Sequence, residues 1–468
     1  MGRFGSTLVK NLNELLKVLD VFSDDCKEIY NITYRIECVN ENSLFVGLKR
    51  EGYVLTEDIQ VAKSFGAITL ASENADYVYH DCVYAYGMLL EAFNDFPCDS
   101  LCVIGVTGTN GKTTVSSYIY QMLKKLDKKV LLIGTNGIYY EENWEETVNT
   151  TPSQEVLAKW LLFAKNQGVK YVVMEVSSIG LHQKRVVGIQ FDYVIVTNVT
   201  SDHLDYHGSL LEYQLSKYQI FKHLKKHGIA IVNTDDEVIR LWKSQLSVEC
   251  IEYNEHVIEI LQMHARGSLF VYREFLIQSN QVAKCNIYNL CACISVLKHL
   301  QFSHKQITTV CKQLDVVVGR FQVVHETPLV VIDYAHTEDA LYQILTFYRK
   351  IKKGRLFVVF GCGGNRDVSK RAKMGKVACD LADVVILTED NSRTESVENI
   401  ISDIVKGCNG KEVVIYSREE AVKYALSIMH NNDIIIIAGK GNERFLFKDG
   451  LYQPVNDLDI VNEFYIGR

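Results

Sequence analysis

LCVIGVTGTNGKTTVSSYIYQML, Leu101 to Leu123, reads as a buried β-strand, a turn rich in glycine and threonine, and a helix. The run LCVIGV is apolar and β-branched in the manner of a strand covered on both faces. Gly105, Gly108 and Gly111 admit left-handed backbone and close approach, so successive N–H groups can cradle a phosphate at the N-terminus of the helix. Lys112 adds a point charge and the Thr113 hydroxyl stands where a phosphate loop ligates Mg2+, with Thr109, Asn110 and Thr114 completing the loop. The spacing departs from G-x-x-x-x-G-K-[ST], since the first glycine would fall on Val106. An ordinary βα turn has no need of a lysine followed by two threonines, so the stretch predicts phosphate binding on a parallel α/β sheet.

The same alternation runs outward from it. KKVLLIG, KYVVMEV, FDYVIVTN and GIAIVN are short apolar runs separated by helical stretches, and a second series begins at PLVVIDYAH and continues through GRLFVVFG, ADVVILTED, KEVVIYS and DIIIIAGKG. Strands alternating with helices predict parallel sheets. Between the series lie a less regular segment, about 240 to 280, and the helix NIYNLCACISVLKHL. Ahead of them, the helix LVKNLNELLKVL with SLFVGL and GAITLAS suggests a small α/β domain ending near NDFPCDS. The expected plan is α/β with three domains: a small N-terminal domain over 1–98, a central phosphate-loop domain with a parallel sheet over 99–318, and a C-terminal Rossmann-like domain over 319–468.

The 468 residues are too many for one ordinary core. Apolar content of 47% and charged content of 23% describe a globular protein. No apolar run approaches the ~18 residues of a membrane span, so no membrane association is expected. A formal charge of −7 gives no reason to expect nucleic-acid binding and leaves small anionic substrates open. The 13 cysteines are scattered and mostly sit in apolar segments, which reads as reduced thiols in a cytoplasmic protein. The N-terminus has no basic-then-apolar leader, and the loose lipidation pattern of Gly2 and Ser6 in MGRFGS is read as coincidence.

Ligands of open α/β sheets gather beyond the carboxyl ends of the strands. There the chain places Glu175, His203 with Asp205, Asp333 with His336, Arg366, Arg393 and Glu443. Each alone is more often a cap or a solvated charge; together they predict a site served by both series. In DHLDYH the hard oxygen neighbours favour Mg2+ over zinc. SLLEYQLSKYQIFKHL, Ser209 to Leu224, predicts one amphipathic helix with a stripe of Leu210, Tyr213, Phe221 and Leu224, and Lys217 falls within it. An ammonium on a face patterned for burial must snorkel, find a partner or lose its charge.

These motifs together resemble the Mur ligase family: GVTGTNGKTT, NTTPSQEVL, EVSSIGLHQKR, TNVTSDHLDYHGSLLEYQLSK, NIYNL, GRFQVV, VIDYAHTEDAL, FGCGGNRDVSKRAKMG, DNSR and GKGNE occur in order over about residues 100 to 468. Within it the chain is most similar to the MurE type, which adds the third residue of the peptidoglycan stem peptide to a UDP-muramoyl-dipeptide. The resemblance implies ATP-dependent amide formation through an acyl phosphate in the cytoplasm, with ATP as co-substrate and two Mg2+ ions. Thr113 and Glu175 would serve the first ion; Glu175, His203 and a carbamylated Lys217 the second, with Lys112, Glu175, His203 and Lys217 as the catalytic set. The loop residues Gly108 to Thr114 with Asn286, Asn289, Arg320, Asp333 and His336 match nucleotide-binding positions. Thr150, Thr151, Ser177, Gln183 and Arg185 match those for the muramoyl-peptide. Arg366, Asp390, Asn391, Arg393, Gly439 and Glu443 match those for meso-diaminopimelate, whose distal carboxylate an arginine can grip with two bonds and whose ammonium a glutamate can face. Local pattern alone also reads Thr151 as a helix N-cap, with Pro152 at the first helical position and Gln154 closing a capping box.

The match has departures. Ser392 stands for a usual proline, Asn442 and Ile179 for usual histidines, and the uracil-binding Asp-Ser-Arg signature is replaced by Arg35, Ile36 and Glu37. A related ligase that adds lysine or another amine, or acts on a carrier without UDP, therefore stands as the alternative. A non-catalytic nucleotide-binding descendant would have little use for Lys112, Glu175, His203 and Lys217, and a simple phosphate-loop kinase would not explain the second sheet. A monomer acting on small molecules is expected.

Overall fold

The computed structural model describes residues 8–49 and 55–466; Gly2 and Ser6 lie outside the described residues. The chain divides into two compact units, one of residues 1–107, 127–194 and 216–230, the other of 108–126, 195–215 and 231–468.

In the first unit, Asn31–Thr33, Ser43–Val46, Ile68–Ala71 and Tyr77–Val78 form a four-stranded parallel sheet. Leu44, Val46 and Leu70 pack with Leu12, Leu15 and Leu16 and with Ala85 and Leu89 of the helix Cys82–Phe93. The expected long first helix is short, Leu12–Leu16, because Asn11 accepts from Asn13 N and caps it where LVKN would have continued.

The large sheet has eight strands in the order Asn143–Glu145, Gly137–Tyr140, Val130–Gly134, Tyr171–Glu175, Cys102–Thr107, Phe191–Val196, Leu224–Asn233 and Glu249–Tyr253. Tyr171–Glu175 runs parallel to both Cys102–Thr107 and Val130–Gly134. Gly105 lies within its strand, where a Cβ would meet the Phe191 ring at 2.9 Å, so it serves packing and not the turn.

Two local elements differ from the sequence expectation. The stretch from Ser209 to Leu224 is an α-helix only over Leu210–Tyr218; a 3-10 turn Gln219–His223 follows, and Leu224 already begins a strand. Leu210, at the start of the helix, is 43% exposed, whereas Tyr213 and Lys217 are each 1% exposed. Thr151 caps no helix. The helix Gln154–Asn166 starts after Ser153, the Thr151 hydroxyl is committed to Glu175 O and the Ser177 hydroxyl, and the Gln154 amide donates to Val83 O and Lys184 O. Tertiary acceptors outcompete the local capping box at this position.

In the second unit, the segment read as irregular holds a three-stranded antiparallel sheet, Ile258–His264, Gly267–Tyr272 and Phe275–Ser279. The C-terminal sheet runs Gln322–Glu326, Leu329–Asp333, Ile434–Ala438, Leu356–Phe360, Val384–Leu387 and Val413–Val414, with every pair parallel except the first. Side chains alternate across it: Val331, Val358 and Ile436 join one buried core, and Ile332, Phe357 and Ile435 the other. Burial on both faces is why these strands read as continuous apolar runs.

Candidate active site

The phosphate loop belongs to the second unit. Gly108 and Gly111 have φ of 147° and 87°, a region other residues rarely occupy. A Cβ on Gly108 would lie 1.9 Å from the Thr197 hydroxyl and one on Gly111 2.7 Å from Asn289 Oδ1, so both positions also need the missing side chain. The loop is held from outside: Thr109 N donates to Asn198 O at 2.8 Å, Asn110 N to Asn198 Oδ1 at 2.9 Å, and the Thr197 hydroxyl to Asn110 O at 2.6 Å. Lys112 opens the helix Lys112–Lys125 and donates to Gly108 O and Thr109 O at 2.8 and 2.9 Å, which holds the ammonium over the loop. Thr113 and Thr114 are buried in the first turn.

The other residues matched to nucleotide binding gather in the same unit. Asn289 lies against Gly111 and donates to Asn286 Oδ1, both on the helix Lys284–His299. The Asn110 amide donates to Asp339 at 2.9 Å, joining the loop to the helix Glu338–Ile351 that follows His336. Arg320 stacks 4.0 Å from the Tyr334 ring centroid. Asp333 accepts from Phe321 N and Ala335 N, each at 2.7 Å; burial pushes its carboxyl up, opposed by Arg320 and those two N–H groups.

Asp202, missed in the sequence reading, is a hub. Its carboxylate lies 3.4 Å from His203 Nε2, 3.6 Å from His336 Nε2 and 3.6 Å from Lys370 Nζ. Burial acts to raise it, but His336, His203 and Lys370 hold it well below the carboxylate range. His203 has a left-handed φ of 53° and precedes the short helix Leu204–His207.

The residues matched to the amino acid form one cluster, also in this unit. Arg393, in left-handed conformation, donates to Gly364 O and Asn391 O, and its guanidinium and the Arg366 side chain flank Gly363, whose Cβ would lie 3.0 Å from Arg393 Nη1 and 3.6 Å from Arg366 Cγ. Burial and then the neighbouring Arg366 push Arg393 down, the mark of two cations sharing one place. Arg366 also pairs with Asp205 at 3.3 Å. Glu443 accepts from the Asn391 amide at 2.8 Å, from Lys440 at 3.0 Å and from the Tyr334 hydroxyl at 3.3 Å. Asp390 sits against Gly439, where a Cβ would meet Oδ2 at 2.7 Å. Tyr334 and Lys440 were not singled out from sequence, although both fall inside recognised motifs.

In the first unit, Glu175 ends its strand 1% exposed. Thr135 N donates to Oε1 at 2.9 Å and the Thr135 hydroxyl to Oε2 at 3.0 Å, which aims the carboxylate. Gly134 makes room for it, since a Cβ there would stand 2.2 Å from Oε1. The residues matched to the muramoyl-peptide meet nearby. Thr150 bonds the Thr135 hydroxyl, Thr151 bonds Ser177, and Arg185 donates to Thr151 O at 2.7 Å and to Gln183 Oε1 at 2.6 Å. Lys217 is 1% exposed, and the adjoining Ser216 hydroxyl is tied to Ser178 O. At the place of the uracil signature, Arg35 pairs with Glu155 at 2.7 Å, Tyr86 donates to the other oxygen of that carboxylate, and Arg35 lies over Tyr34.

Residues 106–297 match the Mur ligase middle domain and residues 319–441 the Mur ligase, glutamate ligase domain. A UDP-N-acetylmuramoyl-L-alanyl-D-glutamate–2,6-diaminopimelate ligase of Geobacillus kaustophilus is 36% identical over 434 residues, covering 87% of this chain and 88% of its own. The protein of that name from Clostridium botulinum is 35% identical over 469 residues, covering 94% and 96%. A solved structure of a ligase so named has a TM-score of 0.70 at 27% identity, covering 98% of this chain and 99% of its own. MurF of Thermotoga maritima, solved in complex with ADP, shares the fold with a TM-score of 0.61 at 19% identity, over 87% of this chain and 93% of its own.

Proposed function

The chain belongs to the Mur ligase family, and from that premise we propose that it joins meso-diaminopimelate to UDP-N-acetylmuramoyl-L-alanyl-D-glutamate in peptidoglycan synthesis, consuming ATP. The observation that carries the amine assignment is the Arg393 guanidinium beside Gly363, held down by burial and by the neighbouring Arg366 charge. Arg393 is half-buried, its guanidinium is bonded among the described residues only to main-chain oxygens, and Arg366 stands near it. A carboxylate on the incoming side chain relieves that repulsion with charge-assisted bonds, whereas the ammonium end of lysine would add to it. Glu443, positioned by Lys440, Asn391 and Tyr334, then faces the amino group at the same end.

The loop N–H groups cradle the nucleotide phosphates, and Lys112 follows the charge that moves onto the β–γ bridge as the carrier carboxylate attacks the γ-phosphorus. Asn286, Asn289, Arg320, Asp333 and His336 are assigned to the nucleotide, and Thr150, Thr151, Ser177, Gln183 and Arg185 to the muramoyl-peptide. Thr113, Glu175, His203 and Lys217 are assigned to Mg2+, for which the hard carboxylate oxygens of Glu175 are suited. When bound, the metal neutralises charge spreading over the transferring phosphoryl oxygens. Addition of CO2 to the amine of the buried Lys217 would give a carbamate with release of a proton, so that this side chain would become an oxygen donor. The amine of the incoming amino acid displaces phosphate from the acyl phosphate. Arg35, committed to Glu155, offers the carrier's uracil a different surface from the usual signature.

The test is ADP release with diaminopimelate or lysine as acceptor, on wild type and Arg393→Met. Wild type should turn over with diaminopimelate and barely with lysine, and the variant should lose about 100-fold in kcat/KM for diaminopimelate alone. Equal turnover with lysine would reject the amine assignment.

A further inference from the structure

Helices Ser369–Leu381 and Val397–Val405 of the second unit lie backbone to backbone. A Cβ on Gly375 would meet Ile404 O at 2.2 Å and Cys408 Sγ at 3.1 Å, and one on Gly407 would meet Ala372 O at 1.7 Å. At the inner end the pair is tied by Arg371, which is fully buried and donates to Glu395 at 2.6 Å and to Asp403 at 3.1 Å. At the outer end, Arg349 donates to Asp380 O and Leu381 O of the first helix, and among the described residues no ion pair joins the two helices there. There Cys379, in the last turn of the first helix, meets Cys408, just past the end of the second, and Glu412 from the following turn joins them. The two Sγ atoms and a carboxylate oxygen of Glu412 lie within 4.8 Å of one another, and all three residues are part-exposed.

We propose that Cys379, Cys408 and Glu412 form a binding site for a zinc-type divalent cation, with solvent as the fourth ligand. Two thiolates and a carboxylate are within the ligand set Zn2+ takes, whereas Mg2+ would not select sulfur. Tetrahedral bonds of about 2.3 Å to sulfur place the two Sγ atoms about 3.8 Å apart, so the three ligands close by no more than about 1 Å. Gly410, with φ of 79°, donates from its N–H to Glu412 Oε2 at 3.1 Å, and that bond turns the carboxylate within the loop. Among the described residues no lysine or arginine pairs with Glu412 in an ion bridge. A disulfide between the cysteines would leave the converging carboxylate without a purpose. Binding replaces two thiol protons, released to solvent, by one dication.

The site is remote from the reaction. The helix Ser369–Leu381 follows Arg366 at its start and carries Cys379 near its end, on the order of 20 Å away along the axis. The ion would therefore act as a second clamp on the helix pair whose leading ends carry Arg366 and Arg393, with Arg371 as the first.

The experiment uses the full chain, reduced and stripped with a chelator, then titrated with Co2+ and with Zn2+. Wild type should take up Co2+ with an intense thiolate-to-metal absorption band that Zn2+ abolishes, and Zn2+ should raise Tm. Cys379→Ser and Cys408→Ser should each lose the band. Glu412→Gln, a part-exposed change that avoids any folding failure of the serine variants, should keep a thiolate band but weaken Co2+ binding at least about tenfold. ADP release should be unchanged in Glu412→Gln. A wild type without the band, a band surviving in both serine variants, Co2+ affinity unchanged in Glu412→Gln, or a Cys379–Cys408 disulfide in place of the bound ion would overturn the proposal.

Discussion

Glu91 gives the account a quantitative test away from the chemistry. It lies on the helix Cys82–Phe93, 3% exposed, and its Oε2 has no hydrogen-bond partner among the described residues. Burial, with Asp99 adding to it and Lys165 opposing, pushes its carboxyl from 4.5 up to about 7. The folded chain thus binds this proton more tightly than the unfolded one. Stability from this group is complete below 4.5, falls as pH rises towards 7 while only the unfolded state ionises freely, and is flat above. A shift of about 2.5 units is worth at most ~3 kcal/mol. Glu91→Gln keeps the shape and cannot ionise. Its stability relative to wild type should therefore rise by ~2 kcal/mol between about pH 5 and about pH 8, a few degrees in Tm. Urea or thermal unfolding of both proteins at the two pH values measures it, and comparing differences cancels the fixed cost of seating the amide. A variant-minus-wild-type difference that does not change with pH would refute the argument.

Three further outcomes are expected. In CO2-depleted buffer turnover should collapse and bicarbonate should restore it, while Lys217→Arg stays inactive under both; bicarbonate-independent activity would remove the carbamate. Tyr334→Phe keeps the ring beneath Arg320 and deletes the bond to Glu443, so KM for the amino acid should rise several-fold with KM for ATP unmoved, as steady-state kinetics will read. Arg418 and Asp457 are a fully buried pair, so Arg418→Met should cost about 3–5 kcal/mol in unfolding experiments, with much of it recovered in the Arg418→Met, Asp457→Leu double variant.

What the sequence disclosed was what depends on local periodicity. Val331, Ile332 and Ile435 are apolar whichever face they occupy, so the parallel strands stood out, and Gly108, Gly111 and Lys112 announced a phosphate loop because backbone geometry restricts those positions to few residues. What stayed hidden depends on partners distant in the chain. Asp202 is one more acid in DHLDYH until His336 and Lys370 close on it, and Tyr334 is an ordinary strand-end aromatic until Arg320 and Glu443 take its two ends. Thr151 satisfied a capping pattern that Glu175 O and Ser177 then claimed. The helix through Lys217 is shorter than its apolar spacing predicts, because that spacing alone does not distinguish an α-turn from the 3-10 turn and strand that follow.

The most direct measurement is the mass of the product formed from ATP, UDP-N-acetylmuramoyl-L-alanyl-D-glutamate and meso-diaminopimelate, with ADP counted in the same reaction. One new species should appear at the summed mass of carrier and amine less water, with one ADP and one phosphate for each bond made. ADP released at the same rate without the amine, or a coupled product only with some other carrier or amine, would contradict the account.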